Sequence, residues 1–292
     1  MPEARAAPRF VDSEAGLCAM LAELAHEPAI ALDTESNSFH VYYERVCLVQ
    51  LSTRTADFVI DPFKVDVRPL GRLTADPKVE VVLHAADYDI RSLKRDFGLT
   101  FTGLFDTMLA AKLLGRPEVG LAALVRDQFG VALAKEHQRS DWGRRPLSPE
   151  QLAYASMDTR YLLPLRDLLA AELGSRSLAA EARAQFTRQA ACEPRPKRFD
   201  EKGYEKLRGF RALDAQGRQV ARALYLLREE RARAADRPPF KIFGDDVILE
   251  LAGRRPDSMD KLEGFKGLGR QTLARDGQAI VAAIVQVLGA AA

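Results

Sequence analysis

Near residue 84 the hydrophobic period of the chain changes from that of a strand to that of a helix, and that change limits the folds open to it. Before it lie four apolar runs of strand length, Ala29–Leu32, Val46–Leu51, Phe58–Ile60 and Val79–Leu83. After it, Ile90, Leu93 and Phe97 recur at helical spacing. Most of 104–190 keeps that period, with breaks near Gly115–Gly120 and at Arg144-Arg145-Pro146. Upstream, Asp12-Ser13-Glu14 opens an amphipathic helix carrying Leu17, Met20, Leu21 and Leu24, and Met1–Phe10 reads as irregular. Ser52-Thr53-Arg54-Thr55 turns the second apolar run back on the third as a hairpin. Strands first, with helices between and after them, predict an α/β layer built on a mixed sheet.

Past residue 190 the pattern changes again. Two prolines and a charge run mark 191–211 as a basic linker, and from about Asp214 the periodicity is helical to the end. The expected division is therefore 1–190, a linker at 191–211, and a small helical domain at 212–292. Charge follows the same line. Residues 191–292 carry 20 Lys and Arg against 15 Asp and Glu, whereas the preceding part carries 23 against 26. A basic part beside an acidic one suits a polyanion binder joined to a metal site, although a net charge of +2 by itself names no partner.

The three cysteines, Cys18, Cys47 and Cys192, show no paired spacing, which argues against a secreted disulfide scaffold. The N-terminus lacks the pattern of a signal peptide, and no apolar run approaches the roughly 18 residues of a membrane span. The expectation is a cytoplasmic protein with no membrane contact and no disulfide partner.

Three segments carry candidate chemistry. Asp33-Thr34-Glu35 closes the first apolar run, and strand alternation points both carboxylates to one face. Two hard anionic groups side by side suit Mg²⁺ or Mn²⁺, although strand ends are often acidic without binding metal. In His84-Ala85-Ala86-Asp87-Tyr88-Asp89, Asp87 stands where a strand hands over to a helix and fits an N-cap. Asp89 lies one turn before Leu93, beside the buried stripe, and is better placed to face the end of the sheet. His84 fits a substrate contact or a satisfied structural residue. Finally, Ser148 and Gln151 form a capping box with Pro149 at the first helical position. Tyr154 and Asp158 then stack one turn apart on that helix. A tyrosine hydroxyl beside a metal-bound carboxylate can orient and help deprotonate an attacking water. Taken alone, it also reads as a half-buried tyrosine on an amphipathic helix.

Together the segments are more specific. The order Asp-x-Glu, His-x-x-x-x-Asp-x-x-x-Leu and Tyr-x-x-x-Asp resembles the three motifs of the DEDDy 3′–5′ exonucleases, specifically the ribonuclease D group. Val46–Gln50, Phe105-Asp106-Thr107 and Gln138–Leu147 resemble the segments between those motifs. Leu227-Arg228-Glu229, Asp236-x-Pro238, Leu249-x-Leu251-Ala252 and Leu262-x-Gly264-Phe265-Lys266-Gly267 resemble an HRDC domain. Fuller ribonuclease D chains carry two such helical modules, and this chain has room for one.

The resemblance implies a ribonuclease H-like mixed-sheet domain followed by a smaller all-α domain that binds nucleic acid. It implies two divalent cations, Mg²⁺ or Mn²⁺, held by Asp33, Glu35, Asp89 and Asp158, with Tyr154 as the fifth catalytic group. It further implies hydrolysis of RNA from a single-stranded 3′ end, with precursors of transfer RNA and other small RNAs as substrates. A 3′–5′ DNA exonuclease and a non-catalytic nucleic-acid adaptor are the alternatives. Around the site, His84, Phe39, Trp142 and Arg145 are candidate substrate contacts. Phe39 and its neighbours Tyr42 and Tyr43 suit base stacking as well as packing, Trp142 suits a loop anchor, and Arg145 suits a phosphate or solvent.

Overall fold

The computed structural model describes residues 6–134 and 136–290. These form two units: one comprises the chain up to Asn37 together with Arg45–Arg195, the other Ser38–Glu44 together with the chain from Pro196 onward.

The first unit is built on a six-stranded sheet of β1 (Arg9–Val11), β2 (Ala29–Ser36), β3 (Val46–Ser52), β4 (Asp57–Ile60), β5 (Glu80–Leu83) and β6 (Leu104–Asp106), in the order β1-β4-β3-β2-β5-β6. β2 pairs antiparallel with β3 and parallel with β5, so it lies inside the sheet. Every residue of β3 is buried, which is why its sequence reads as a continuous apolar run rather than an alternating one. β3–β4 is the expected hairpin. Two strands depart from the sequence reading. Arg9–Val11, expected to be irregular, pairs parallel with β4, and Leu104–Asp106, expected within a helical stretch, pairs parallel with β5. Three residues are too few to show a period, so pairing rather than pattern makes them strands.

The helices of this unit are α1 (Glu14–Glu23), α2 (Gly71–Thr74), α3 (Asp87–Phe97), α4 (Thr107–Leu113), α5 (Leu121–Phe129), α6 (Pro149–Arg160), α7 (Leu162–Ser175) and α8 (Ala179–Ala190). One large core joins β-strand residues such as Ile30, Leu32, Val81 and Leu83 to Ile90 and Leu93 of α3 and to Leu165 and Leu169 of α7. Each fully buried aliphatic side chain contributes roughly 1.5–3 kcal/mol. α6 starts as expected: Ser148 Oγ accepts from Gln151 N at 3.2 Å and Gln151 Oε1 from Ser148 N at 3.0 Å.

The start of α3 corrects the sequence reading. Asp87 does not cap the helix but sits inside its first turn, paired with Arg91 at 2.9 Å. The N–H groups of Ala85 and Ala86 are taken instead by Asp106, at 3.1 and 2.9 Å. This wholly buried carboxylate also caps α4 through Met108 N and Leu109 N and accepts from Gln189 Nε2.

The second unit contains α9 (Ala215–Ala234), α10 (Asp245–Arg254), α11 (Met259–Leu262) and α12 (Arg270–Gly289). Val220 and Leu224 of α9, Ile248 and Leu251 of α10, and Ile280 and Ile284 of α12 form its core. Its packing begins earlier than the periodicity suggests, because Phe199 stacks on Tyr225 with centroids 5.3 Å apart. Ser38–Glu44 belongs to this core. Tyr42 is buried, its hydroxyl donates to Glu229, and Asp236 Oδ1 accepts from the backbone N–H of both Tyr42 and Tyr43 at 3.0 Å. Lys197 Nζ lies 4.0 Å from the Tyr42 ring centre. Tyr42 is thus a packed anchor and not a stacking platform. Among the described residues, no helix is long and apolar enough to cross a membrane.

Candidate active site

β2 delivers Asp33 and Glu35 to one face, two residues apart. The same strand reaches α3 from its other face, where Thr34 Oγ1 donates to Asp89 Oδ1 at 2.5 Å. α6 packs on β2, β3 and β4, with Thr159 Oγ1 lying 2.6 Å from Ser52 Oγ of β3. Helical spacing then places Tyr154 and Asp158 on one side of α6. Asp33, Glu35, Tyr154 and Asp158 line one cavity of about 660 Å³, together with His84, Gln138 and residues 118–123 at the start of α5.

The acids feel one another. Burial raises the pKa of Asp33 well above the usual carboxylate range, and Asp89, Asp158 and Glu35 raise it further. Glu35 is pushed up to about 9 by burial, then by Asp158 and Asp89. Burial pushes Asp158 to about 7 with help from Asp89, and Asp89 to about 7 against the downward pull of the Thr34 hydroxyl. Four carboxylates so placed disfavour their own charges unless a cation offsets them. Among the described residues, no three His, Cys, Asp or Glu side chains already converge tightly enough to hold a metal ion. The donor set is all carboxylate oxygen and partly desolvated, which suits a hard divalent cation, so the residues present fit one.

The sequence agrees with this geometry. Residues 8–174 match the family model of the 3′–5′ exonuclease domain, and residues 217–284 match that of the HRDC domain. Ribonuclease D of Granulibacter bethesdensis is 32% identical over 290 residues, covering 97% of this chain and 72% of that protein. The chain belongs to the ribonuclease D family of 3′–5′ exonucleases. Protein RRP6-like 2 of Arabidopsis thaliana is also 32% identical over 95% of this chain, but the chain spans only 33% of that protein's length. The crystal structure of the catalytic core of RRP6 from Trypanosoma brucei superposes with a TM-score of 0.88 at 28% identity, covering 100% of this chain and 85% of that one.

In this ribonuclease D-family site the outer candidates fare differently. His84 borders the cavity. Its Nδ1 lies 2.9 Å from Thr107 Oγ1, and the Thr107 hydroxyl donates to Leu83 O, so Nδ1 carries the proton. Burial pushes the imidazole pKa down to about 4, leaving the ring neutral, and Nε2 is covered. Phe39 is exposed and belongs to the second unit.

Trp142 and Arg145 need correction. Trp142 is 1% exposed and packs with its ring centre 6.0 Å from that of Tyr154, so it braces α6 and cannot stack on a base. Arg145 grips Asp61 with Nε and Nη2 and spends its remaining N–H groups on the carbonyls of Cys47, Trp142 and Arg144. It has no donor left for a phosphate. Sequence reasoning missed Thr34, which alternation directs away from the acids flanking it, and Asp106, whose bonding depends on partners from several elements.

Proposed function

We propose that this chain is an exoribonuclease that removes nucleoside 5′-monophosphates one at a time from RNA 3′ ends. Asp33, Glu35, Asp89 and Asp158 would hold two divalent cations, Mg²⁺ or Mn²⁺, and Tyr154 would orient the attacking water. The observation that carries this reading is the grouping of four acids, Asp89 buried and Asp33, Glu35 and Asp158 half-buried, and one tyrosine from β2, α3 and α6, in which each acid is disfavoured as an anion without a countercharge.

When bound, the cations supply Lewis acidity at the scissile phosphate and offset the charge of the departing 3′-oxygen. The chain's own residues supply placement. Burial raises the Tyr154 hydroxyl pKa, with Asp158, Glu35 and Asp33 adding to the effect, so the phenol stays protonated at neutral pH. It therefore acts as a hydrogen-bonding group that aims water at phosphorus, rather than as a phenolate base. The water forms the new P–O bond, the bond to the 3′-oxygen breaks, and the released nucleotide keeps the phosphate on its 5′-oxygen.

Precursors of transfer RNA and other small RNAs are the substrates proposed from the resemblance to ribonuclease D, and a cytoplasmic location suits them. The HRDC-matching residues, with their surplus of positive charge, are proposed to hold the RNA backbone upstream of the cleaved end. Digestion of 3′-single-stranded RNA and a matched DNA, each 5′-end-labelled, with chelator, Mg²⁺ or Mn²⁺, tests this reading. The expected result is a metal-dependent ladder on RNA with mononucleotide release. Preferred cleavage of DNA would overturn the substrate assignment, and a ladder in chelator would overturn the metal site.

A further inference from the structure

Gln50 occupies an unusual position. It lies in β3 directly opposite Asp33 of β2, and on its other side it pairs with Val59 of β4. Residues directly opposite one another in a sheet send their side chains to the same face, so Gln50 rises from the face that carries Asp33. Strand alternation puts Leu48 and Ser52 on that face too. α6 closes over it: Leu48 and Val59 pack with Tyr154 and Ala155, and Ser52 lies within hydrogen-bond distance of Thr159. Gln50 therefore sits beneath the helix that presents Tyr154 and Asp158, in the row that carries Asp33.

Its chemistry does not suit that place in the fold alone. Gln50 is 0% exposed, and neither Oε1 nor Nε2 has a hydrogen-bond partner. A buried amide normally finds partners, and leaving it unpaired is costly, so an apolar side chain would serve the core better. The carboxylate across from it is the one whose charge is disfavoured by all three other acids, with the Thr34 backbone N–H pulling the other way. Carboxylates that ligate metals are commonly held by a second hydrogen bond from a neighbouring group.

We propose that Gln50 is a positioning residue for the metal site: unpaired in the metal-free fold, its amide N–H comes to donate to the Asp33 carboxylate when cations bind and fixes that group's orientation. The inference rests on the metal-site reading above. It makes Gln50 cost the metal-free fold something and return it when cations arrive.

The test is Gln50→Met, which keeps length and volume but removes both polar atoms. Measured on the full chain are the melting temperature in chelator, the Mn²⁺ dissociation constant by calorimetry, and the rise in melting temperature on adding Mn²⁺. Wild type and Asp33→Asn are run beside it. The expected variant melts at or above wild type in chelator, binds Mn²⁺ about tenfold more weakly, and gains less from the metal. A variant that folds poorly or melts well below wild type in chelator shows that the amide is satisfied within the apo fold, and overturns the proposal. So does unchanged Mn²⁺ affinity while Asp33→Asn loses it. If Asp33→Asn binds Mn²⁺ like wild type, the metal-site reading fails first and the role of Gln50 falls with it.

Discussion

The hydroxyl of Thr34 donates to the carboxylate of Asp89 at 2.5 Å, joining the middle of the acidic strand segment to the helix that follows β5. Both residues are buried, and the bond favours the charged form of an acid that burial pushes up, to about 7 with the hydroxyl's downward pull included. Thr34→Val keeps the shape and removes the donor. We expect the metal-free protein to lose on the order of 1.5–3 kcal/mol at pH 8, where Asp89 is ionised. At pH 5, where it is protonated, the loss should be much smaller. Denaturant unfolding at the two pH values decides this, and an equal loss at both would show that the hydroxyl does not act through the Asp89 charge.

Asp33→Asn should remove turnover while leaving RNA binding within a few fold. Neutralising an acid that feels the charge of the other three removes several kcal/mol of cation binding and charge stabilisation. At 1.36 kcal/mol per tenfold, the rate should fall by roughly three orders of magnitude or more. In chelator the same variant should melt no lower than wild type, because it replaces a carboxyl that burial and three neighbouring acids disfavour as an anion. A variant that kept a tenth of the wild-type single-turnover rate would sink the two-metal assignment.

The raised pKa values also fix how stability responds to pH without metal. Glu35, Asp89 and Asp158 hold protons in the folded state, up to about 9, 7 and 7, that they release near 4 when unfolded. Over the interval between, the native state binds more protons than the unfolded one, so stability falls as pH rises. We expect the melting temperature in chelator to decline from about pH 5 to pH 8. Because cations bind the deprotonated acids, the stabilisation by added Mn²⁺ should grow over the same range. A melting temperature that climbs with pH in chelator would contradict the protonation assigned here.

Tyr154→Phe should slow the reaction about 10²–10⁴-fold without weakening cation binding. The ring keeps its packing against Trp142 and His137, and only the hydroxyl that faces the acids is removed. Tyr161→Phe is the control, since Tyr161 is buried with its ring beside Phe129 and does not line the cavity. If raising the metal concentration restored the Tyr154→Phe rate, the tyrosine would be a metal-site support and not a group that aims water.

What can be read from the sequence follows physical range. Asp33 and Glu35 are two apart on a strand, and Tyr154 and Asp158 four apart on a helix with its own capping box, so local periodicity alone pairs them. The choice of Asp89 over Asp87 is legible for the same reason, because Leu93 fixes the phase of the buried stripe one turn on. Asp87 resembles a cap because it stands at the strand–helix junction, whereas the carboxylate that takes the N–H groups of Ala85 and Ala86 there, Asp106, comes from another strand and is not visible locally. Arg145 and Trp142 look available for substrate only because their partners are far along the chain: Asp61 in one case, the α6–sheet interface in the other. The return of Ser38–Glu44 into the helical unit is likewise invisible, as it depends on Glu229 and Asp236, which lie nearly 200 residues away.

That last packing bears on how the RNA-binding role proposed for the helical unit should be tested. Removing residues 212–292 would take away Glu229 and Asp236 and strip Tyr42 of the partners that bury it, so a fall in activity could not be ascribed to weaker RNA binding. Substituting surface charge is cleaner. Arg218 and Arg222 are exposed on α9, outside the Val220, Ala221 and Leu224 core stripe. Changing both to Gln keeps helix propensity and the core, so the melting temperature should stay near that of wild type. Basic side chains gain affinity largely by releasing counterions from the backbone. If these two meet phosphates, the log–log slope of RNA affinity against salt should become shallower by about 0.7 for each phosphate of the single strand that is no longer neutralised. Cleavage of very short oligonucleotides should change little, since the four acids lie on the first unit. A shallower slope with unchanged short-oligonucleotide cleavage supports a division of labour between the units. An unchanged slope in a stable double variant would remove this face of α9 from the RNA-binding surface.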